Sequence, residues 1–226
     1  MTERIDSADE TDAAGVVLAG GESSRMGRDK ALLPFAGRPL IEHALTMLGE
    51  AGLSTTIAGA SAAAQSTLAT YASIVLDPQP GLGPLAGICA ALAAASTRFV
   101  VFLPVDLPLL PPSLIAYLLH HAQMTGRAVT VSSVNGFAQT FPVVLDRSVL
   151  QALRTELRSG RRGCLSAFQA ASDAVGEPIC CVAVELLAQS GQVAHPIGLH
   201  PLRWFLNVNT SRDLEQAAVL LAHSIA

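Results

Sequence analysis

Short apolar runs that stop at glycine, proline or aspartate, each followed by a helix-patterned stretch, decide what this 226-residue chain can fold into. GVVL (15–18) precedes a loop and PLIEHALTMLGEAG (39–52), and TTIAG (55–59) precedes an alanine-rich segment. SIVLD (73–77) leads through a Gly/Pro loop to PLAGICAALAAAS (84–96), and RFVVFLPVD (98–106) leads to PPSLIAYLLHHAQ (111–123). Strands that are apolar throughout are covered on both faces, so this alternation predicts a parallel sheet between two helix layers.

The second half continues with AVTVSS (128–133) and FPVVLD (141–146) as strands and SVLQALRTELRSG (148–160) as a helix. FLNVNT (205–210) reads as a strand with Asn207 and Asn209 on one side, and SRDLEQAAVLLAHS (211–224) as a last helix capped by Ser211. No linker, biased tract or 20–50-residue repeat divides the chain. The expectation is a single-domain, three-layer α/β/α, Rossmann-like fold with a mostly parallel sheet over 14–226, after an acidic tail at 1–13 read as disordered.

Composition narrows the partners. Hydrophobic residues make up 50% of the chain and charged ones 14%, the balance of an ordered globular domain. The formal charge of −4 lies in residues 1–13, and the 13 acidic and 13 basic residues beyond them cancel. A surface for nucleic acid is therefore not expected, and aromatics at 4% supply no base-stacking platform. The acidic start has neither the basic region nor the apolar core of a leader, and no run reaches the 18 or so apolar residues of a membrane span. The expected setting is the cytoplasm, without membrane contact. Cys89 and Cys164 stand alone and Cys180–Cys181 are adjacent, a spacing unsuited to a disulfide framework or a zinc site.

Ligands of such sheets bind at the carboxyl ends of strands near a topological switch point, which singles out three loops. The first, LAGGESSRMGRDK (18–30), follows a strand with a glycine pair and then brings Arg25 and Lys30. Glycines let the backbone approach a ligand, consecutive N–H groups bind anions, and the two cations reach phosphate oxygens. Neither GxxxxGK[ST] nor GxGxxG is present, so the reading is a phosphate cradle of another kind or a tight solvated turn. The second loop, LDPQPGLGPLAG (76–87), puts Asp77 at a strand end and glycines before Pro84 at a first helical position. It reads either as a cover for base or ribose or as an ordinary connection. The third, FLPVDLPLLPP (102–112), leaves Asp106 alone among apolar residues, where a carboxylate either meets a cation such as Mg²⁺ or bonds neighbouring backbone N–H groups.

Other features carry less. Arg154, Arg158, Arg161 and Arg162 form a basic cluster that reads as a solvated face or an anion contact. The histidines lack metal-site spacing, with His120 and His121 at a helix end where the dipole favours them. No GxSxG elbow is present for a serine nucleophile.

Taken together and in order, LAGGESSRMGRDKALLPFAGRPLIEH, GPLAGI, FLPVDLP and FLNVNTSRDL resemble the molybdenum cofactor guanylyltransferases, within the wider sugar-nucleotide-transferase-like superfamily. The resemblance spans about 14–220 and departs from the family's habit at Val105, Ser211 and Gly59–Ala60. It implies a nucleotide-diphospho-sugar-transferase-like fold and transfer of GMP from GTP to molybdopterin or molybdenum cofactor, with pyrophosphate released. It further implies that Leu18, Ala19, Gly20 and Gly21 contact the nucleotide, that Asp77, Gly83 and Pro84 lie beside it, and that Arg25 and Lys30 hold its phosphates. Asp106 would ligate Mg²⁺, with Mn²⁺ as the substitute, and make the catalytic set with Arg25 and Lys30. Asn207 and Asn209 would face the acceptor. Molybdoenzyme maturation proteins are the expected partners, and a monomer or weak homo-oligomer the expected state. Two readings stay beside it: a sister transferase using CTP or another phosphorylated acceptor, and a non-catalytic nucleotide-binding regulatory module.

Overall fold

The computed structural model describes residues 12–20, 29–78, 81–161 and 163–223. In chain order these form β1 (Ala13–Leu18), a small hairpin of β2 (Pro34–Phe35) and β3 (Arg38–Pro39), α1 (Leu40–Glu50), β4 (Ser54–Ala58), α2 (Gln65–Leu68) and β5 (Ile74–Val75). Next come α3 (Pro84–Ala94), β6 (Phe99–Pro104), α4 (Pro112–Thr125), β7 (Val129–Val134) and β8 (Phe137–Asp146). The chain closes with α5 (Leu150–Arg158), α6 (Cys164–Ala174), β9 (Cys180–Ala183), α7 (Val184–Gln189) and α8 (Ser211–His223).

Seven strands make one sheet in the order β5-β4-β1-β6-β8-β7-β9. β1 pairs in parallel with β4 on one side and β6 on the other, and β4–β5 and β7–β9 are also parallel. Only β8 runs against its neighbours, so the sheet is mostly parallel, as the unbroken apolar runs predict. From β1 the chain moves outward through β4 and β5, then returns across the sheet to β6. The switch point is therefore the gap between the carboxyl ends of β1 and β6, where Leu18 stands opposite Pro104.

Alternation along the central strands builds two cores. Val17 and Val101 face α1 and α4 with Leu40, Leu48, Leu114 and Leu118, whereas Val16, Val100 and Phe102 face α3, α5 and α6 with Leu85, Leu92, Leu153 and Phe168. These side chains are buried almost completely, and the sheet is covered on both faces.

The structure refines several sequence expectations. Ala13 belongs to β1, and Asp12 accepts the Arg98 N–H through its carboxylate and the Phe99 N–H through its carbonyl. The remainder of the acidic tail, residues 1–11, lies outside the described residues. The run SIVLD gives only the two-residue edge strand β5, so Asp77 sits beyond its end. Between AVTVSS and FPVVLD, Asn135 and Gly136 both take positive φ (51° and 79°), closing a tight hairpin that starts β8 four residues before Phe141. Residues 205–210 are not a strand: the Leu206 N–H goes to the Arg203 carbonyl, that of Val208 to the Asp106 carbonyl, and those of Asn209 and Thr210 to the Asp213 carboxylate. Thr210, not Ser211, caps α8: its Oγ1 accepts the Asp213 N–H while the Asp213 carboxylate accepts the Thr210 N–H, a reciprocal capping box.

Candidate active site

The ladder continues past β1 by two bonds: Ala19 N–H donates to Ala58 C=O, and Val105 N–H donates to Leu18 C=O. These bring Gly20 against the β4–α2 connection. A Cβ on Gly20 would overlap the carbonyl oxygen of Gly59, and one on Gly87 of α3 would come within 3.2 Å of the Gly59 nitrogen. Three glycine backbones thus pack in series, and no larger residue fits at the first without displacing the chain.

Asp106 ends the excursion after β6. Its neighbours Val105, Leu107, Leu109 and Leu110 are buried in the core, which fixes the backbone and leaves the carboxylate at the rim. Asp106 Oδ2 accepts from Lys30 Nζ at 3.0 Å, with the two side chains 23% and 16% exposed. Asp106 Oδ1 is buried and has no hydrogen-bond partner among the described residues.

Lys30 is presented by a short 3₁₀ turn, Lys30–Leu32, whose start is capped by the Asp29 carboxylate accepting the Ala31 N–H at 3.0 Å. Ala31 is fully buried and pins that turn to the core. The ammonium also donates to Asn209 Oδ1 at 2.6 Å, so a residue 179 positions away in sequence shares it with Asp106.

A cleft of about 420 Å³ opens at this switch point. Leu18 and Pro104, opposite each other across β1 and β6, line it with Gly20, Pro84 and Asp106, and Gln139, Thr140 and Phe141 of β8 line it together with Cys164, Phe205 and Asn207. Gly83, at φ +84°, precedes Pro84 as the N-terminal flank of α3. Leu18, Gly20, Pro84, Asp106 and Asn207 therefore share one cleft, with Lys30 bonded to its acidic residue and Asn209 bonded to Lys30. Asp77 lines a second hollow of about 800 Å³ beside α3, together with Arg154 and Arg158 of α5. Gly21 and Arg25 fall outside the described residues, as does Arg162.

Of the remaining arginines in the basic cluster, Arg161 is engaged, its guanidinium reaching both carboxylate oxygens of the buried Glu156 at 2.8 and 3.2 Å. His121 stacks on Tyr117 and lies 3.3 Å from Cys180 Sγ, a packing contact far from the cleft. Cys164 lines the cleft as an inert thiol: burial, with Cys89 nearby, pushes it up to about 12. No group of three His, Cys, Asp or Glu side chains suited to a metal ion occurs among the described residues, and Asp106 is the carboxylate among those lining the cleft.

Sequence reasoning missed the wall made by Gln139, Thr140 and Phe141, although Asn135-Gly136 between two β-rich runs was a readable hairpin signal. It also missed α6, whose buried Cys164, Ala167, Phe168 and Ala171 have helical spacing. Asp213 carried no signal beyond its place three residues after Thr210.

The model of the MobA-like NTP transferase domain matches residues 15–194. A molybdenum cofactor guanylyltransferase from Rhizobium johnstonii is 33% identical over 93% of this chain and 94% of its own length. One from Xanthomonas euvesicatoria pv. vesicatoria is 42% identical over 65% of this chain and 71% of its own. Among solved structures, the molybdopterin-guanine dinucleotide biosynthesis protein A of Archaeoglobus fulgidus superposes with a TM-score of 0.74 at 22% identity, covering 93% of this chain and 99% of that one. With this fold, a switch-point cleft holding Lys30 and Asp106, and a family match over most of its length, the chain belongs to the MobA-like NTP transferase domain family.

Proposed function

We propose that the protein transfers GMP from GTP to molybdopterin or molybdenum cofactor, forming the guanine dinucleotide and releasing pyrophosphate. The observation that carries this reading is the Lys30–Asp106 pair at the β1/β6 switch point, beside a glycine that admits only backbone. It is supported by the guanylyltransferase relatives in Rhizobium and Xanthomonas.

In the reaction, a phosphate oxygen of the acceptor attacks the α-phosphorus of GTP. The new P–O bond forms as the bond to the β-phosphate oxygen breaks, and that electron pair leaves on pyrophosphate. The nucleophile is already anionic, so the chain needs no strong general base, only positioning and charge neutralisation. Leu18, Ala19, Gly20 and Gly21 take the nucleotide along the backbone, with Gly83, Pro84 and Asp77 on the side of the base and ribose. Lys30 and Arg25 offset charge on the phosphates, and the acceptor lies against Asn207, Asn209 and the β8 wall. An ammonium has three N–H donors, and among the described residues two of those on Lys30 are taken, by Asp106 and Asn209, so that the third is the one proposed for a phosphate oxygen.

The residues also fit a divalent cation. Asp106 Oδ1 is a buried carboxylate oxygen with no hydrogen-bond partner among the described residues, a costly arrangement that a hard cation relieves. Asp106 would hold Mg²⁺, or Mn²⁺ in its place, and a bound ion supplies Lewis-acid neutralisation of phosphate charge. Delivery of the product to molybdoenzyme maturation proteins, in the cytoplasm and from a monomer or weak homo-oligomer, completes the reading. Among the described residues no helix is long and apolar enough to cross a membrane.

Pyrophosphate release measured with each nucleoside triphosphate, with and without molybdopterin and Mg²⁺, tests the proposal. Release with GTP, dependent on molybdopterin and metal, is expected. Release with CTP alone identifies the sister transferase, and binding without release under any condition identifies a regulatory module.

A further inference from the structure

We infer that Asp213, in the first turn of α8 and outside the cleft lining, is a positioning residue for Lys30, acting through the backbone that carries Asn209. The inference rests on the reading of Lys30 as the phosphate-binding cation.

The contacts form a chain. Asp213 Oδ2 accepts two backbone N–H groups, from Asn209 at 2.9 Å and from Thr210 at 2.8 Å. Held there, Asn209 turns its side-chain oxygen onto Lys30 Nζ, and Lys30 Nζ reaches Asp106 Oδ2. The ring closes through the main chain, because Val208 N–H donates to the Asp106 carbonyl at 3.0 Å. Lys30, Asp106, Val208 and Asn209 therefore brace one another, and the segment bearing two of them belongs to no helix or strand. Asp213 ties that segment to a 13-residue helix.

Electrostatics agree with the geometry. The bond from the Asn209 backbone, followed by the bonds with Thr210, holds the Asp213 carboxyl below the usual carboxylate range, and the Lys30 charge adds to the effect. Lysine has a flexible four-carbon stem and loses much rotamer freedom when fixed, so a second acceptor beside Asp106 narrows where its charge rests.

The competing explanation is that Asp213 merely caps α8. Thr210 separates the two, because Thr210→Ala cuts the reciprocal bond of the same cap while leaving both Asp213–backbone bonds possible. Asp213→Ala is expected to lower kcat/KM for GTP-dependent pyrophosphate release by about 10- to 100-fold. Thr210→Ala, with a similar fall in Tm, and Asp213→Asn, which keeps an acceptor oxygen, are expected to stay within about threefold of wild type.

A readout independent of turnover is the Lys30 ammonium resonance in ¹⁵N-lysine-labelled protein, assigned by its loss in Lys30→Arg. It is expected in the wild type, Thr210→Ala and Asp213→Asn, and absent in Asp213→Ala. Should the wild type release no pyrophosphate from any nucleotide, the catalytic reading fails while the resonance still decides the positioning. A wild type without the resonance, an Asp213→Ala protein that keeps it, or a Thr210→Ala protein that loses it overturns the inference.

Discussion

The carbonyl oxygen of Gly59 occupies the space that a side chain on Gly20 would need. The chain just past the carboxyl end of β1 and the connection after β4 are thus packed backbone to backbone. Gly20→Ala must push the two segments apart, and overpacking of this kind costs about 1–3 kcal/mol. Calorimetry should show a lowered Tm, and GTP titration a weakened complex. Gly87→Ala meets the Gly59 nitrogen at 3.2 Å and should show the same effects more weakly. Equal losses in both variants would refute the ordering.

Removing either member of the Lys30–Asp106 pair should abolish chemistry and spare the fold. Loss of one group that stabilises transition-state charge lowers kcat by about 10²–10³-fold, and this is the effect expected for Lys30→Ala. Asp106→Ala should fall at least as far, since it removes the carboxylate proposed to hold the metal. Circular dichroism of both variants should match the wild type. Near-normal pyrophosphate release in either would remove the pair from the reaction.

The four cysteines are all free and should separate cleanly by reactivity. Burial pushes Cys89 up to about 11 and Cys164 up to about 12, so both remain protonated and covered at pH 8. Cys181 is exposed, and Cys180 is half-buried with its thiol also raised by burial. A disulfide reagent at pH 8 should label Cys181 first, Cys180 more slowly, and Cys89 and Cys164 only with unfolding. Fast labelling of Cys164 would contradict the packing of α6 against the sheet.

Stability should fall as pH drops below about 6.5, the ordinary histidine value. Burial lowers His43, opposed by its bond to the Phe35 carbonyl, and burial likewise lowers His195, whose Nε2–H donates to the Leu109 carbonyl. With folded-state values below the unfolded ones, the unfolded chain binds more protons in that window. The histidines' contribution is therefore complete above it and is lost through it. Protonation of His195 also removes the acceptor at Nδ1 that the Ile197 N–H uses. Urea midpoints at pH 7.5 and 5.5 should differ for the wild type, with the gap narrowed in His195→Gln. An unchanged gap in that variant would remove His195 as a source.

The helical layers and the central strands were legible because their signals are local. Val16 to Leu18 and Val100 to Leu103 are apolar on both faces, and α1, α3 and α4 start at or beside prolines. Within the site, the sequence singles out Lys30, Asp106, Asn207 and Asn209, yet no pattern announces that one ammonium joins residues 30, 106 and 209. That link is a long-range side-chain contact, and the segment providing it spends its N–H groups on carbonyl and carboxylate oxygens chosen by the tertiary fold. Asn207 and Asn209 suggested strand alternation for the same reason: a spacing of two is visible, but the absence of a partner strand is not. Asp77 was read by its distance from an assumed strand end, whereas β5 stops two residues earlier at Val75 and Asp77 lines the second hollow.

The single reversed strand has a consequence for how such a sheet diversifies. β8 stands between the parallel block β5-β4-β1-β6 and the pair β7-β9, and its first residues are the ones that reach the cleft. Lengthening or replacing the turn at Asn135-Gly136 would therefore recast one wall of the cavity while the Leu18–Pro104 register stayed untouched. On the proposed reading, one side of the molecule can be retailored for a new second substrate while the other keeps its first, and the hinge between the two is a single antiparallel strand.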